Sequence, residues 1–143
     1  MMRRGGRHTA ASLRKAVIAE LDWAAIYLIG EPRGPVRLGI TNDPDNQLAV
    51  IRRNCTAADT EIRYEGWAPR RIVERIEEAV LQKAAAKGMI LRKSVLQLTA
   101  EQGRREIERT VRIHGLVLAD RAGFGEVVAL KEGEYRARYA RRA

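Results

Sequence analysis

The sequence predicts an α+β fold in which a three-stranded antiparallel sheet is flanked by helices, with a basic N-terminal helix and arm and a basic C-terminal extension. Three observations carry this. Two short apolar runs, AIYLIG and VRLGIT, stand either side of a Glu-Pro-Arg-Gly-Pro connection. A third run, TEIRYEGW, alternates apolar and charged residues as a half-exposed strand does. The segments between and around these runs carry apolar residues at helical spacing instead.

In chain order, residues 9–21 read as a helix that Thr9 or Ser12 can cap, with Leu13, Ala16, Val17 and Ile18 on adjoining faces. Strands follow at 25–30 and 36–41. A connection this short, with glycine and two prolines, favours a hairpin over a crossover. Asp43-Pro44 supplies an N-cap and a proline at the first helical position, opening a helix to about Asn54 with Leu48 and Ile51 inward. Thr60 to Trp67 forms the third strand. A long helix begins near Pro69, carries Ile72, Val73, Ile76, Val80, Leu81 and Ala84 on one stripe, and stops at Gly88. Met89 to Leu98 reads as irregular chain or a short strand. Thr99 with Gln102 makes a capping box for a helix to about His114. Leu116–Leu118 and Val127–Leu130 are expected to form a small hairpin around Gly123 and Gly125, ahead of the basic tail EYRARYARR. The chain thus divides into a basic arm and helix over 1–23, a central unit over 24–114, and a C-terminal hairpin and tail over 115–143.

A length of 143 residues suits one compact unit with extensions. At 45% hydrophobic and 31% charged it is too apolar for a disordered chain, and no apolar run reaches the roughly 20 residues of a membrane span. The basic N-terminus lacks the apolar stretch of a secretory signal, so a cytoplasmic location is expected. Cys55 is the sole cysteine, which rules out an internal disulfide and any multi-cysteine metal site. His8 and His114 have no ligand partner at metal spacing.

The net charge of +9 is concentrated at the ends. Residues 1–20 hold five Arg/Lys against Glu20, and residues 131–143 hold five against Glu132 and Glu134, leaving +2 for the 110 residues between. Basic arms on a nearly neutral body suit a polyanion, because cations beside phosphates release condensed counterions without reading a sequence. Arg3, Arg4, Arg7, Arg53, Arg70, Arg71, Arg136 and Arg138 are the expected DNA-backbone contacts. Arg104, Arg105, Arg109 and Arg112, interleaved with glutamates, read as a solvated helix face.

The order AIY, about ten residues, RLGIT, a DP-initiated helix, a third strand and a helix with a central glutamate resembles the GIY-YIG nuclease superfamily. More narrowly, it is similar to the phage- and plasmid-associated branch whose second motif reads KIGIT. The likeness spans roughly residues 24–112. It implies that Tyr27 helps activate the attacking water, that Arg37 stands in place of the branch's lysine, and that Gly39 is the motif's glycine. It implies a single-carboxylate site for Mg²⁺ or Mn²⁺ at Glu77, in IEEAVL, with Glu74 and Glu78 the alternatives if the register slips.

Departures from the family pattern fall at its catalytic positions. The arginine that holds the scissile phosphate in a DPERRL-like stretch corresponds to Gln47 in DPDNQL. The histidine that often follows the glutamate is Leu81, and a GEWF-like segment is replaced by KSVL. A fixed guanidinium can be worth on the order of 10³ to 10⁵ in phosphoryl-transfer rate, and a glutamine donates only a neutral hydrogen bond. Arg52 or Arg53, one to two turns on, could supply the missing charge. Three readings follow: a DNA-binding protein with a GIY-YIG-like domain whose nuclease activity is weak or lost, an active Mg²⁺- or Mn²⁺-dependent endonuclease, or a phage- or plasmid-derived adaptor with a protein partner. Ordinary packing offers a plainer account of single residues: Tyr27 as a core aromatic, Glu77 as one of several surface charges paired along its helix.

Overall fold

The computed structural model describes residues 9–55 and 57–142. Helix α1 (Ala10–Leu21) is capped by Thr9, whose hydroxyl accepts the Ser12 N–H at 3.1 Å, and it turns sharply at Asp22, where φ is 50°. Strand β1 (Trp23–Gly30) pairs antiparallel with β2 (Val36–Thr41) on one side and with β3 (Glu61–Pro69) on the other. Between β2 and β3 lies α2 (Pro44–Arg53), where Asp43 accepts the Asn46 N–H and Pro44 fills the first turn. After β3 comes α3 (Arg70–Ala86), then α4 (Ala100–Ile113), which begins with the expected reciprocal capping box between Thr99 and Gln102. No described helix is long and apolar enough to cross a membrane.

The sheet is α+β and antiparallel as expected, but it has five strands rather than three, in the order β3-β1-β2-β5-β4. The extra pair is β4 (Ile90–Arg92) and β5 (Val95–Leu96), both within the stretch expected to be irregular or a short strand. The turn between them holds Lys93 at φ 41°, a left-handed conformation with no glycine to announce it. What fixes the ribbon is tertiary: Leu96 is fully buried opposite Val36, and the Leu38 N–H donates to Ser94 O at 2.9 Å.

The C-terminal hairpin is also overturned. Residues Arg121–Arg142 form one helix, α5, and Leu116–Leu118 is extended coil leading to an isolated bridge between Ala119 and Trp67. Asp120 accepts the Gly123 N–H at 2.7 Å, satisfying one of the donors a helix start leaves open. Phe124 and Val128 are buried one turn apart and Tyr135 packs beside their cluster, so the apolar period is helical. Gly123 and Gly125 lower helix propensity by about 1 kcal/mol each, and burial of that stripe outweighs them.

Both faces of β1 are covered, which is why its sequence is a continuous apolar run rather than an alternating one. Ala24, Ile26 and Leu28 meet Val73, Ile76 and Val80 of α3 and Ile107 of α4. Ala25 lies on the opposite face with Leu13 and Val17 of α1 and Val128 of α5; there Phe124 stacks on Trp67 at 4.0 Å between ring centroids. Tyr27 and Ile29 share that face with Ile51 and Leu48 of α2. Burial of each such large side chain contributes roughly 1.5–3 kcal/mol. The segments expected to be separate extensions, α1 and α5, therefore pack on the sheet.

Candidate phosphodiester site

Tyr27 is the middle of β1, opposite Gly39 on β2 and Glu65 on β3. Its ring lies across Gly39. A Cβ added there would meet Tyr27 Cζ at 2.6 Å and Cε2 at 2.9 Å, with the hydroxyl nearer still. Only a residue without a side chain leaves room for the tip of the phenol to lie over β2. The outer edge of β2 is open: β5 pairs with β2 only at Val36 and Arg37, leaving Gly39–Thr41 without a strand partner there among the described residues.

Tyr27 belongs to the α2 face and α3 covers the other face, yet Glu77 reaches the hydroxyl's electrostatic surroundings. The lengths explain it. Pro69 pairs with Trp23, so α3 starts level with the beginning of β1. Seven helical residues carry Glu77 about 10 Å along the axis at 1.5 Å each, and four strand residues carry Tyr27 about 13 Å at 3.3 Å each. Both groups arrive at nearly the same height.

Three further sequence-predicted residues, Arg37, Gln47 and Glu77, thus act on the Tyr27 phenol, Arg37 and Glu77 through their charges and Gln47 through its side chain. Burial holds the Tyr27 phenol above its ordinary value; Arg37 draws it back, Glu77 pushes it up further, and the Gln47 side chain favours the phenolate. The half-buried Glu77 carboxyl is raised first by burial and then by Glu74. Neither Glu77 nor Arg37 forms an ion pair or side-chain hydrogen bond among the described residues. The paired-surface account therefore does not describe Glu77, although Arg71 and Arg75 share its helix. Glu78 does act as a surface charge, accepting from Gln82 at 3.3 Å.

No group of three or more His, Cys, Asp or Glu able to hold a metal ion is found among the described residues. A half-buried, unpaired carboxylate beside a second one fits a hydrated divalent cation, because Mg²⁺ keeps several waters and accepts one or two carboxylates. It does not fit a closed, all-protein cage.

Arg52 does not take the place of the missing arginine. Its Nε donates to Thr60 O at 3.0 Å and its guanidinium lies 3.8 Å from Glu61, which ties it to the start of β3. Arg53 is exposed beside it and unpaired among the described residues. Arg70 pairs with Asp22 at 3.4 Å, while Arg71 is exposed, both at the far end of β3. Arg136 is exposed on α5, and Arg138 lies over the Tyr135 ring at 4.9 Å. These expected DNA contacts are spread along the molecule and form no single patch. Arg3, Arg4 and Arg7 lie outside the described residues, as does His8. Trp67 is 4% exposed, so it presents no face to a base. Arg104 is bound to Glu101 and Glu108, as a solvated face requires.

Sequence reasoning missed Arg121. From the first turn of α5 it binds Asp45 of α2 at 2.9 Å and Glu65 of β3 at 2.6 Å, and Glu65 also accepts from Trp67 Nε1 at 2.6 Å. Its two carboxylate partners, Glu65 foremost, raise its pKa further. This lattice fixes the start of α2, two residues before Gln47, against the strand beside Tyr27. The partners are 56 and 76 residues from Arg121, so no local pattern marks them. Comparison with known protein families, with curated proteins and with solved structures finds no match to this chain.

Proposed function

We propose that this chain is a DNA-binding protein built around a GIY-YIG-type nuclease cleft in which phosphodiester hydrolysis is slow. The observation that carries the reading is that the Tyr27 phenol lies over Gly39 at the β2 edge under the influence of Arg37, Gln47 and Glu77. The four come from two strands and two helices, and each stands at a position that the GIY-YIG pattern marks.

The chemistry follows from the groups present. Hydrolysis builds negative charge on the phosphoryl oxygens, and the unpaired Arg37 guanidinium can receive it. The Tyr27 hydroxyl, protonated near neutral pH as any phenol is and held more firmly so by burial, can orient a water by hydrogen bonding. A divalent cation bound at Glu77, Mg²⁺ or Mn²⁺, would supply charge neutralisation and a more acidic water. Gln47 offers a neutral donor where the family has a cation, and Arg52 is diverted to β3, which accounts for a slow rate. Exposed Arg53, Arg71 and Arg136, with a net charge of +9, support backbone contacts that do not read sequence.

The test is nicking of supercoiled plasmid in Mn²⁺ together with DNA binding across a salt series. Slow nicking that disappears in Tyr27→Phe and in Glu77→Ala is expected. So is a fall in affinity of about 0.9 in log–log slope per neutralised phosphate. Nicking that survives both substitutions would remove the cleft from the reaction, and an absence of DNA binding would overturn the reading as a whole.

A further inference from the structure

Arg37 faces two ways. It belongs to the Tyr27 cluster, and it also walls a groove of roughly 520 Å³ that runs from the β1–β2 end of the sheet to the β4–β5 ribbon. The size is within the roughly 300–1,000 Å³ of small-ligand sites. Its floor is aliphatic, from Ile29, Ile51 and Val95, and its cations are Arg37 and Arg92. Leu91 is 52% exposed, a large apolar side chain left uncovered at the rim. Arg92, like Arg37, forms no ion pair or side-chain hydrogen bond among the described residues. Glu31 at the mouth leaves an excess of one positive charge.

An apolar floor with two unpaired guanidiniums suits a ligand with a flat apolar face and an anionic backbone. Bases inside a duplex are stacked and cannot enter such a recess, whereas an unpaired base can, at little unstacking cost. We propose that the groove seats one unpaired nucleotide adjoining the phosphodiester held in the Tyr27 cleft, so that the preferred nucleic acid carries a single-stranded segment. The aliphatic floor reads no hydrogen-bonding edge, so the seat tolerates any base and favours thymine through its methyl group. This rests on the nuclease-type reading of the cleft and shares Arg37 with it, whereas Arg92, Leu91 and Cys55 are residues that reading does not use.

Cys55 lines the groove and is the only cysteine in the chain, which makes it a reporter. Its thiol lies 3.5 Å from the Thr60 hydroxyl and accepts the Ala57 N–H, and both contacts favour the thiolate. The full chain is titrated, in metal-free buffer that prevents cleavage, with a labelled oligothymidylate and with a blunt duplex of equal length. Saturating oligothymidylate is expected to slow iodoacetamide alkylation of Cys55 about tenfold, and the blunt duplex to leave it unchanged. Arg92→Ala is expected to weaken oligothymidylate binding about fivefold, the upper range of an exposed ion pair. It should also reduce the single-strand salt slope by about 0.7, one phosphate, without altering duplex binding. Binding of both nucleic acids with Cys55 alkylated at its free rate, or with Arg92→Ala silent, would overturn the nucleotide seat and leave the proposed function standing. Binding of neither would overturn both.

Discussion

Gly39→Ala is the sharpest probe of the site, because the Tyr27 hydroxyl takes its place only if the ring tip lies over that position. The glycine has no positive φ and lies in a regular strand pair, so alanine meets no backbone strain; removing a strand glycine would by itself gain about 0.4–1 kcal/mol. The added methyl falls 2.6 Å from Cζ and 2.9 Å from Cε2 of a ring that is 7% exposed. Those are ring atoms in a packed interior, and overfilling of this kind costs about 1–3 kcal/mol. The net expectation is a loss of about 1–2 kcal/mol, or roughly 3–7 °C in Tm for a chain this size. Thermal and urea denaturation followed by circular dichroism would measure it. In a Tyr27→Leu background the obstruction is gone, so the same substitution should become neutral or mildly stabilising, a coupling of about 2 kcal/mol in a double-mutant cycle. Equal cost in both backgrounds would show that the phenol does not lie over Gly39, and the grouping of Arg37 and Gln47 about its hydroxyl would fall with it.

Two further outcomes follow. Gln47→Arg restores a cation where the phosphate would sit, and it should raise Mn²⁺-dependent nicking at least about tenfold; a variant that folds with an unchanged or lower rate would place Gln47 outside the reaction. Glu77 holds its proton more tightly when folded than when unfolded, so its contribution to stability is present below the unfolded value near 4.5 and is lost as pH rises through the folded value. Near neutral pH the buried charge is a net cost, and Glu77→Gln should stabilise by about 0.5–1 kcal/mol, a figure reduced for partial exposure, with the gain vanishing near pH 4. Urea titrations at the two pH values decide it, and a destabilised variant at neutral pH would mean that the carboxylate is structurally paired.

Local chemistry was legible wherever a short stretch settles its own conformation. The Thr99–Gln102 capping box, the Asp43-Pro44 helix start and the β1–β2 hairpin all follow from neighbours within a few residues, and the structure has them. Glycine obscured the C-terminal helix. Gly123 and Gly125 read as turn signals because propensity counts only the local cost, and burial of Phe124 and Val128 against the sheet exceeds that cost. The Asp120 cap was the overlooked local cue. The β4–β5 ribbon had no cue, since its turn uses Lys93 at positive φ and its strands are held by Val36 and Leu38.

The sequence by itself determined the residue types of the candidate site, because a tyrosine, an arginine, a glycine and a glutamate at those spacings are visible without coordinates. It also determined the surplus of positive charge and the alternation that makes β3 a strand. Tertiary structure alone decided that the charge of Glu77 is felt at Tyr27 although the two belong to opposite layers, that Arg52 is drawn off to β3, and that Arg121 locks α2 against the sheet. The reason is physical. Capping and periodicity act over a few residues, whereas a site assembled across an open strand edge depends on how far each element has run when it arrives there, and that length is fixed only when the layers pack.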